Sequence, residues 1–254
     1  MCFELDSSPP VPISGASVRH RRLQVHTSDA NVFDAFEAFP DAEGDTAVVV
    51  LPDVRGLFPF YEQLAERLAE HGHHAVAIDY FGRTAGTGAR PDEFDFMPHV
   101  RQTTYAGVRA DVEAAVAHLR HDGDRRLFVL GFCFGGSNAW HMAAEGLGLA
   151  GVIGFYGHPD REFPAGSGSV IGKVDEMECP VLGLMGGDDP GIPLDLVDRY
   201  AAELTAAGVE HTIVVYPDAP HSFFDRNQAA YAAESADAWR RVLGFLESGS
   251  PEEL

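Results

Sequence analysis

Cys133 carries the thiol that the sequence places best for nucleophilic chemistry. It lies at the centre of Gly131-Phe132-Cys133-Phe134-Gly135, between the apolar run at 127–130 and a helical pattern that continues to Ala144. Gly-x-Cys-x-Gly between a strand and a helix has the spacing of a nucleophile elbow, with cysteine in place of serine. This position predicts a thiolate at a helix N-terminus, with the Phe134 N–H as an oxyanion donor.

A structural role for Cys133 is the alternative, because a free cysteine is usually a small buried hydrophobic residue. The strand before it and the helix after it favour catalysis, since the elbow requires this context. Cys179 precedes Pro180 without glycines around it, which is typical of a structural residue, and Cys2 lies near the N-terminus. Three cysteines at these spacings predict neither a disulfide framework nor a zinc site.

A general base for the thiol is expected after a late strand. His221 lies in the loop after the strand pattern at 211–216, and Asp188 and Asp189 follow the strand pattern at 181–185. A carboxylate there would hold the imidazole and stabilise its charged form, although aspartates in such loops are also common turn residues. The chain order cysteine, aspartate, histidine is that of nucleophile, acid and base in α/β-hydrolases, so the sequence predicts a triad.

The elements that would position these groups alternate along the chain. This alternation predicts an α/β fold with a mainly parallel central sheet and helices on both faces, in which ligands bind beyond the carboxyl ends of the strands. Strands are predicted at 18–26, 31–39, 47–51, 75–78, 127–130, 151–156, 181–185 and 211–216, and the first two form a hairpin. Helices are predicted at 60–71, 99–121, 193–207 and 228–247 and after Cys133, with long loops at 82–98 and 159–175.

Composition narrows the classes of function. The 254 residues fit one domain over 1–254, with loose termini at 1–17 and 248–254. A net charge of −21 disfavours nucleic acids and anionic membranes as partners. The N-terminal segment lacks a basic region followed by a long apolar one, so we expect no signal peptide and a cytoplasmic location. Oligomeric state is left open.

No metal or organic cofactor is expected. The chain has no Walker A sequence, no strand-linked Gly-x-Gly-x-x-Gly and no His-Glu-x-x-His. His71, His73 and His74 could suggest a metal site, but a solvated helix end explains them more simply, because histidine is favoured at a helix C-terminus.

The sequence resembles the dienelactone hydrolase family of α/β-hydrolases, whose nucleophile is a cysteine. The resemblance covers roughly residues 46–247 and implies that the acid is Asp189, the residue after Gly-Gly-x. It rests on Gly131-Phe132-Cys133-Phe134-Gly135-Gly136, Met185-Gly186-Gly187-Asp188-Asp189, His221-Ser222-Phe223-Phe224, Tyr231 and Ala238-Trp239.

The resemblance also implies further site residues. In the loop after the first central strand, family members carry an acidic residue, usually glutamate, that contacts the resting thiol. Asp53 occupies that position here, and its side chain is one methylene shorter than that of glutamate. The N–H of Val54 is implied as the second oxyanion donor. Members that hydrolyse dienelactone hold the substrate carboxylate with arginines, for which Arg101 and Arg226 are the candidates.

These residues together predict a hydrolase of small esters or lactones of the dienelactone type. Cys133 would attack the carbonyl as a thiolate, and His221 and Asp189 would act as base and acid through a thioester acyl-enzyme. Two alternatives stay open at this point. One is a broader carboxylesterase or thioesterase without dienelactone activity, and the other is a non-catalytic binding or redox-sensing homologue.

Overall fold

Eight strands among the described residues pair into one sheet. The computed structural model describes residues 7–42, 44–91, 93–121 and 123–252. The strands are β1 (Val18–His26), β2 (Val32–Pro40), β3 (Thr46–Leu51), β4 (His74–Ile78), β5 (Arg126–Phe132), β6 (Gly151–Phe155), β7 (Val181–Gly186) and β8 (His211–Tyr216).

The sheet runs in the order β1-β2-β4-β3-β5-β6-β7-β8. The pairs β1–β2 and β2–β4 are antiparallel, and every other pair is parallel. The side chains of β3 are all buried, as expected for a strand covered on both faces. The predicted hairpin forms β1 and β2, and its turn places Ala30 at a φ of +66°.

Helices cover both faces of this sheet and confirm the predicted fold class. They are α1 (Pro59–Glu70), α2 (Gly82–Ala85), α3 (Met97–Gln102), α4 (Tyr105–His121), α5 (Phe134–Met142), α6 (Leu194–Ala207) and α7 (Ala232–Ser248), with a 3-10 helix at Ile171–Glu176. The loop predicted at 82–98 therefore contains α2, and the loop predicted at 159–175 ends in the 3-10 helix.

The prediction of one continuous helix over 99–121 is wrong. The chain breaks between α3 and α4, where Thr103 is extended with φ −65° and ψ 131°. Thr104 forms a bridge with Ala165, whose carbonyl oxygen accepts a hydrogen bond from the Tyr105 N–H at 3.0 Å. This distant loop supplies a backbone partner that competes with helical hydrogen bonding.

The prediction of the last helix is wrong at its beginning, because α7 starts at Ala232. The preceding residues, 221–230, form turns. In them the side-chain amide of Asn227 donates to the His221 carbonyl oxygen at 3.1 Å, and Asp225 accepts from Tyr156 at 2.9 Å. These contacts tie the segment to the end of the sheet instead of to the helix.

The described parts of the terminal segments contact the body of the protein. Residues 7–17 have no regular secondary structure, yet Val11 is buried and the Ser14 N–H donates to Glu70 at 3.0 Å. At the other end the Thr212 hydroxyl donates to the Pro251 carbonyl oxygen at 2.7 Å. Cys2 lies outside the described residues.

Two strand glycines set the position of α5 against the sheet. Trp140 of α5 is buried, and its indole N–H donates to the Leu182 carbonyl oxygen at 3.3 Å. A Cβ atom at Gly154 of β6 would lie 2.4 Å from the indole ring, and one at Gly183 of β7 would lie 3.4 Å from it. Glycine at these two positions therefore lets the helix lie close to the strands.

Candidate active site

The bend between β5 and α5 has the backbone of a strained nucleophile turn. Cys133 is the N-cap of α5 and has φ +54° and ψ −110°, in the left-handed half of conformational space. Such a conformation costs about 1–3 kcal/mol for a residue with a side chain. Its N–H donates to the Phe155 carbonyl oxygen at 3.0 Å, and this bond to the neighbouring strand helps to hold the turn.

Close backbone contacts explain the glycines around Cys133. A Cβ atom at Gly131 would lie 1.9 Å from the Gly135 carbonyl oxygen. One at Gly135 would lie 2.2 Å from the carbonyl oxygen of Leu51, and one at Gly136 would lie 2.6 Å from that of Phe155. Real Cβ atoms do not approach oxygens this closely, so these positions require glycine. The contact with Leu51 also brings the loop after β3 against the turn.

An imidazole and a carboxylate meet at the same edge of the sheet. Nδ1 of His221 donates to Oδ2 of Asp189 at 2.6 Å, and the Gly191 N–H donates to Oδ1 at 2.8 Å. Asp189 is buried, whereas Asp188 is exposed. Asp189 is thus the carboxylate that reaches the imidazole, as the family resemblance implied.

The environment of Asp189 keeps it ionised. Burial raises the pKa of its carboxyl group, but the hydrogen bond and charge of His221 and the Gly191 N–H lower that pKa by more, so the net shift is downward. A fixed carboxylate stabilises the imidazolium that a general base forms, and it selects the tautomer with its proton on Nδ1.

Cys133 and His221 line one cavity of about 140 Å³. Its walls are mainly apolar and aromatic, and the N–H groups predicted to hold an oxyanion belong to two of its lining residues. The lining residues are Val54, Cys133, Phe134, Ser137, Tyr156, His158, Arg161, Phe163, Gly191, Ile192 and His221. The cavity therefore brings together the predicted nucleophile, the predicted base and both predicted oxyanion donors.

Asp53 lies in the loop after β3, is fully buried and is not among the residues that line the cavity. Its Oδ1 accepts a hydrogen bond from the Arg55 N–H at 2.9 Å, and the Arg55 guanidinium lies 3.9 Å away. Burial, followed by the charges of Asp53 and Cys133, raises the pKa of Tyr80 well above its usual range. Asp53 and the thiol thus act on the same neighbouring side chain.

The two arginines proposed from the sequence lie elsewhere. Arg101 is exposed at the end of α3, and Arg226 is exposed after His221; neither lines the cavity. Arg161 does line it, in the loop after β6. The sequence analysis did not single out Arg161, although its place after a strand of the parallel sheet was a usable signal.

Tyr156 is a second residue that the sequence analysis did not single out. It directly follows β6, has a φ of +36° and is buried. Its hydroxyl donates to Asp225 at 2.9 Å, and its ring centroid lies 4.9 Å from that of His221. Tyr156 therefore packs against the imidazole and supports its orientation.

Within residues 7–42, 44–91, 93–121 and 123–252, no group of three or more His, Cys, Asp or Glu side chains is arranged to hold a metal ion. In the same part of the chain, each helix is too short or too polar to cross a bilayer.

Comparison with known proteins identifies the family. The model of the dienelactone hydrolase family matches residues 33–250. A protein of Methylorubrum extorquens named "putative carboxymethylenebutenolidase" is 32% identical, over 85% of this chain and 76% of its own length. The carboxymethylenebutenolidase of Rhodococcus opacus is 30% identical, over 97% of this chain and 96% of its own.

A crystal structure agrees with these sequence matches. The structure titled "putative dienelactone hydrolase", from Klebsiella pneumoniae, superposes with a TM-score of 0.80 at 28% identity, covering 91% of this chain and 99% of that one. The chain belongs to the dienelactone hydrolase family and is a hydrolase of carboxylic esters or lactones.

Proposed function

We infer that this protein hydrolyses small, activated esters or lactones through Cys133, His221 and Asp189, with a thioester acyl-enzyme. The observation that carries this proposal is the shared cavity. One space of about 140 Å³ is lined both by the thiol on a strained turn and by an imidazole whose Nδ1 is held at 2.6 Å by a buried carboxylate.

Each step uses a group that lies in or beside this cavity. His221 takes the proton of Cys133, and the thiolate attacks the carbonyl carbon. The N–H groups of Phe134 and Val54 stabilise the resulting oxyanion. The intermediate collapses, His221 gives its proton to the leaving oxygen, and an acyl thioester remains. His221 then removes a proton from water, which attacks the thioester and releases the acid and the thiol.

Asp53 is proposed to act on the resting thiol, as the family pattern implies. It is fully buried, it lies in the loop that touches the turn, and its carboxylate and Cys133 both influence Tyr80. A negative charge near the thiol disfavours a free thiolate, and binding of a substrate would relieve this effect. Asp53 would therefore restrict thiolate formation to the occupied site.

The cavity favours small substrates with good leaving groups. Its volume is below the range of about 300–1,000 Å³ that is typical of drug-sized ligands. A thiolate is easily expelled from the tetrahedral intermediate, so productive collapse requires a leaving group that competes with it. Enol lactones and aryl esters meet this requirement. The name of the Rhodococcus opacus relative, carboxymethylenebutenolidase, supports the lactone class.

The test combines turnover with detection of the acyl-enzyme. Aryl ester hydrolysis is measured for the parent protein and for Cys133→Ala, with Cys179→Ala as the matched control because Cys179 is buried and does not line the cavity. We expect Cys133→Ala to lose turnover and Cys179→Ala to keep it. Rapid-quench intact mass spectrometry of the parent should detect one added acyl group.

Two results would contradict the proposal, and a third would narrow its substrate class. Undiminished turnover in Cys133→Ala would exclude this nucleophile. Absence of turnover in the parent, on aryl esters and enol lactones alike, would favour a binding or redox-sensing homologue. Turnover of aryl esters together with inert enol lactones would favour a broader esterase.

A further inference from the structure

A second histidine, His158, lines the same cavity as Cys133 and His221. Its backbone is fixed to the helix that follows the elbow. The His158 N–H donates to the Ser137 hydroxyl oxygen at 2.8 Å, and that hydroxyl donates to the His158 carbonyl oxygen at 3.2 Å. Ser137 lies in the first turn of α5, so this clamp holds the histidine at a set position relative to the thiol.

The loop determines the tautomer of His158. The Asp160 N–H donates to its Nδ1 at 3.2 Å. A backbone amide can only donate, so Nδ1 supplies the lone pair and the neutral ring carries its proton on Nε2. Within the part of the chain that the structure describes, no group accepts a hydrogen bond from that Nε2–H. His158 borders the cavity, so this donor is available to a bound molecule.

The surrounding charges keep this ring neutral. Burial and the neighbouring Arg161 guanidinium lower the pKa of His158, and the carboxylates of Asp160 and Asp189 only partly oppose them. His221 differs because Asp189 holds its Nδ1–H directly, which suits a base that must become charged. The cavity therefore contains two imidazoles of different character, one prepared to take a proton and one that presents a neutral N–H.

We propose that His158 is a specificity-determining residue whose Nε2–H donates a hydrogen bond to an acceptor atom that the substrate carries besides its reacting ester group. This inference rests on the proposed function, because it assumes that the ester binds beside Cys133. The proposal predicts a preference for substrates with a second acceptor atom, such as an ether oxygen, a carbonyl oxygen or a ring nitrogen. An ester that is apolar around its reacting group leaves the donor unpaired and loses that contribution.

Two pairs of near-isosteric substrates test the proposal. Para-nitrophenyl butyrate and para-nitrophenyl methoxyacetate differ by one CH₂-to-oxygen exchange in the acyl part. Phenyl acetate and meta-pyridyl acetate differ by one CH-to-nitrogen exchange in the alcohol part. Comparing each variant with the parent on the same substrate cancels the differences in intrinsic reactivity.

Two variants separate recognition from support of the loop. His158→Asn keeps an oxygen that can accept from the Asp160 N–H but lacks a donor at the reach of Nε2. His158→Gln keeps an N–H at that reach. His26→Asn, at an exposed position in β1, is the control. Thermal unfolding of all three variants is compared with the parent to establish that they fold.

We expect His158→Asn to lower kcat/KM about fivefold more for the acceptor-bearing member of at least one pair than for its partner. His158→Gln should restore most of this difference. Equal losses on all four substrates, or no loss on any, would overturn the proposal while leaving the triad intact. Failure of the triad itself is distinguishable, because Cys133→Ala would then keep its turnover.

Discussion

Two of the carboxylate–imidazole contacts among the described residues differ in what surrounds them. At the carboxyl edge of the parallel strands, Asp189 accepts from His221, and the pair borders the cavity with Cys133. On β2, Glu37 accepts from Nε2 of His74 at 2.9 Å and from Nε2 of His118 at 2.8 Å.

Glu37, His74, His118 and Arg21 form a cluster, the Glu37 cluster, in which the other three side chains contact the carboxylate of Glu37. The Nε of Arg21 adds a third contact at 2.6 Å, and Glu37 is fully buried. Burial raises the pKa of its carboxyl group, but hydrogen bonds from His118, His74 and Arg21 outweigh burial and hold that pKa well below its usual value. None of these residues lines the cavity that contains Cys133 and His221.

A carboxylate–imidazole pair is therefore not by itself a sign of catalysis. Both pairs are short and partly or fully buried. What distinguishes Asp189 and His221 is the cavity and the proposed nucleophile that lines it, whereas the Glu37 cluster joins β2, β4 and α4. We therefore expect substitutions in the first region to affect turnover and substitutions in the second to affect stability.

The largest expected effect is on turnover at His221. His221→Ala should lower kcat/KM about a thousandfold or more, because the thiol loses its base and the leaving oxygen loses its acid. The measurement is steady-state hydrolysis of an aryl ester. His74→Asn, assayed as folded protein, is the matched histidine from the other region and should keep the parent rate. If the two variants lost turnover equally, the functional distinction between the regions would be wrong.

The second effect is on stability at Glu37. Glu37→Gln should lower the free energy of unfolding by about 3 kcal/mol, because a neutral amide replaces the buried carboxylate that accepts from Arg21, His74 and His118. Urea unfolding at neutral pH measures this, with exposed Glu203→Gln as the control. The turnover of the folded Glu37→Gln protein should match the parent. An unchanged unfolding midpoint would show that its partners are stabilised in some other way.

The third prediction concerns His73, whose contribution to stability should depend on pH. His73 is buried and hydrogen-bonded to Thr46, and burial, with smaller effects of nearby charges, lowers its pKa from 6.5 to about 4. The unfolded chain binds this proton first as the pH falls, so the stabilising contribution is complete above pH 6.5 and lost on acidification towards pH 4.

The loss at His73 should reach about 3 kcal/mol across that interval. Chemical unfolding of the parent and of His73→Gln at several pH values measures it. The variant should lose less stability on acidification than the parent. Parallel pH dependences of the two proteins would contradict the assignment.

The smallest expected effect concerns the arginines. Arg161 lines the cavity, whereas Arg101 and Arg226 are exposed away from it. For an ester that bears a carboxylate, Arg161→Gln should raise KM about fivefold relative to a neutral ester, as expected for a solvent-exposed charge contact. Arg101→Gln is the matched variant and should change both values of KM alike. A selective effect of Arg101→Gln would restore the assignment made from the sequence.

The fold was largely predictable because its strands are local patterns. The apolar runs that form β3 and β5 are typical of strands buried on both faces, and the glycines around Cys133 mark a turn that only glycine permits. The break before Tyr105 was not predictable, since its cause is a hydrogen bond to Ala165, far along the chain.

The residues of the candidate site were also only partly predictable from the sequence. Cys133 and His221 were found from motifs beside strands, and the family pattern selected Asp189 over Asp188. The sequence signal for His158 and Arg161 is limited to their place after β6, because a histidine or an arginine in a long loop otherwise resembles many others. Their contribution depends on how the loop after β6 folds over the turn, which only the three-dimensional arrangement specifies.

The buried position of Trp140 makes its fluorescence a reporter of how α5 packs on the sheet. The chain has two tryptophans, and Trp140 is buried against Gly154 and Gly183 on the helix that begins at the thiol. Replacing Trp239 by phenylalanine would leave a single fluorophore whose emission maximum depends on that packing. A red shift during denaturation would then time the separation of this helix from the sheet, independently of the loss of total helix content.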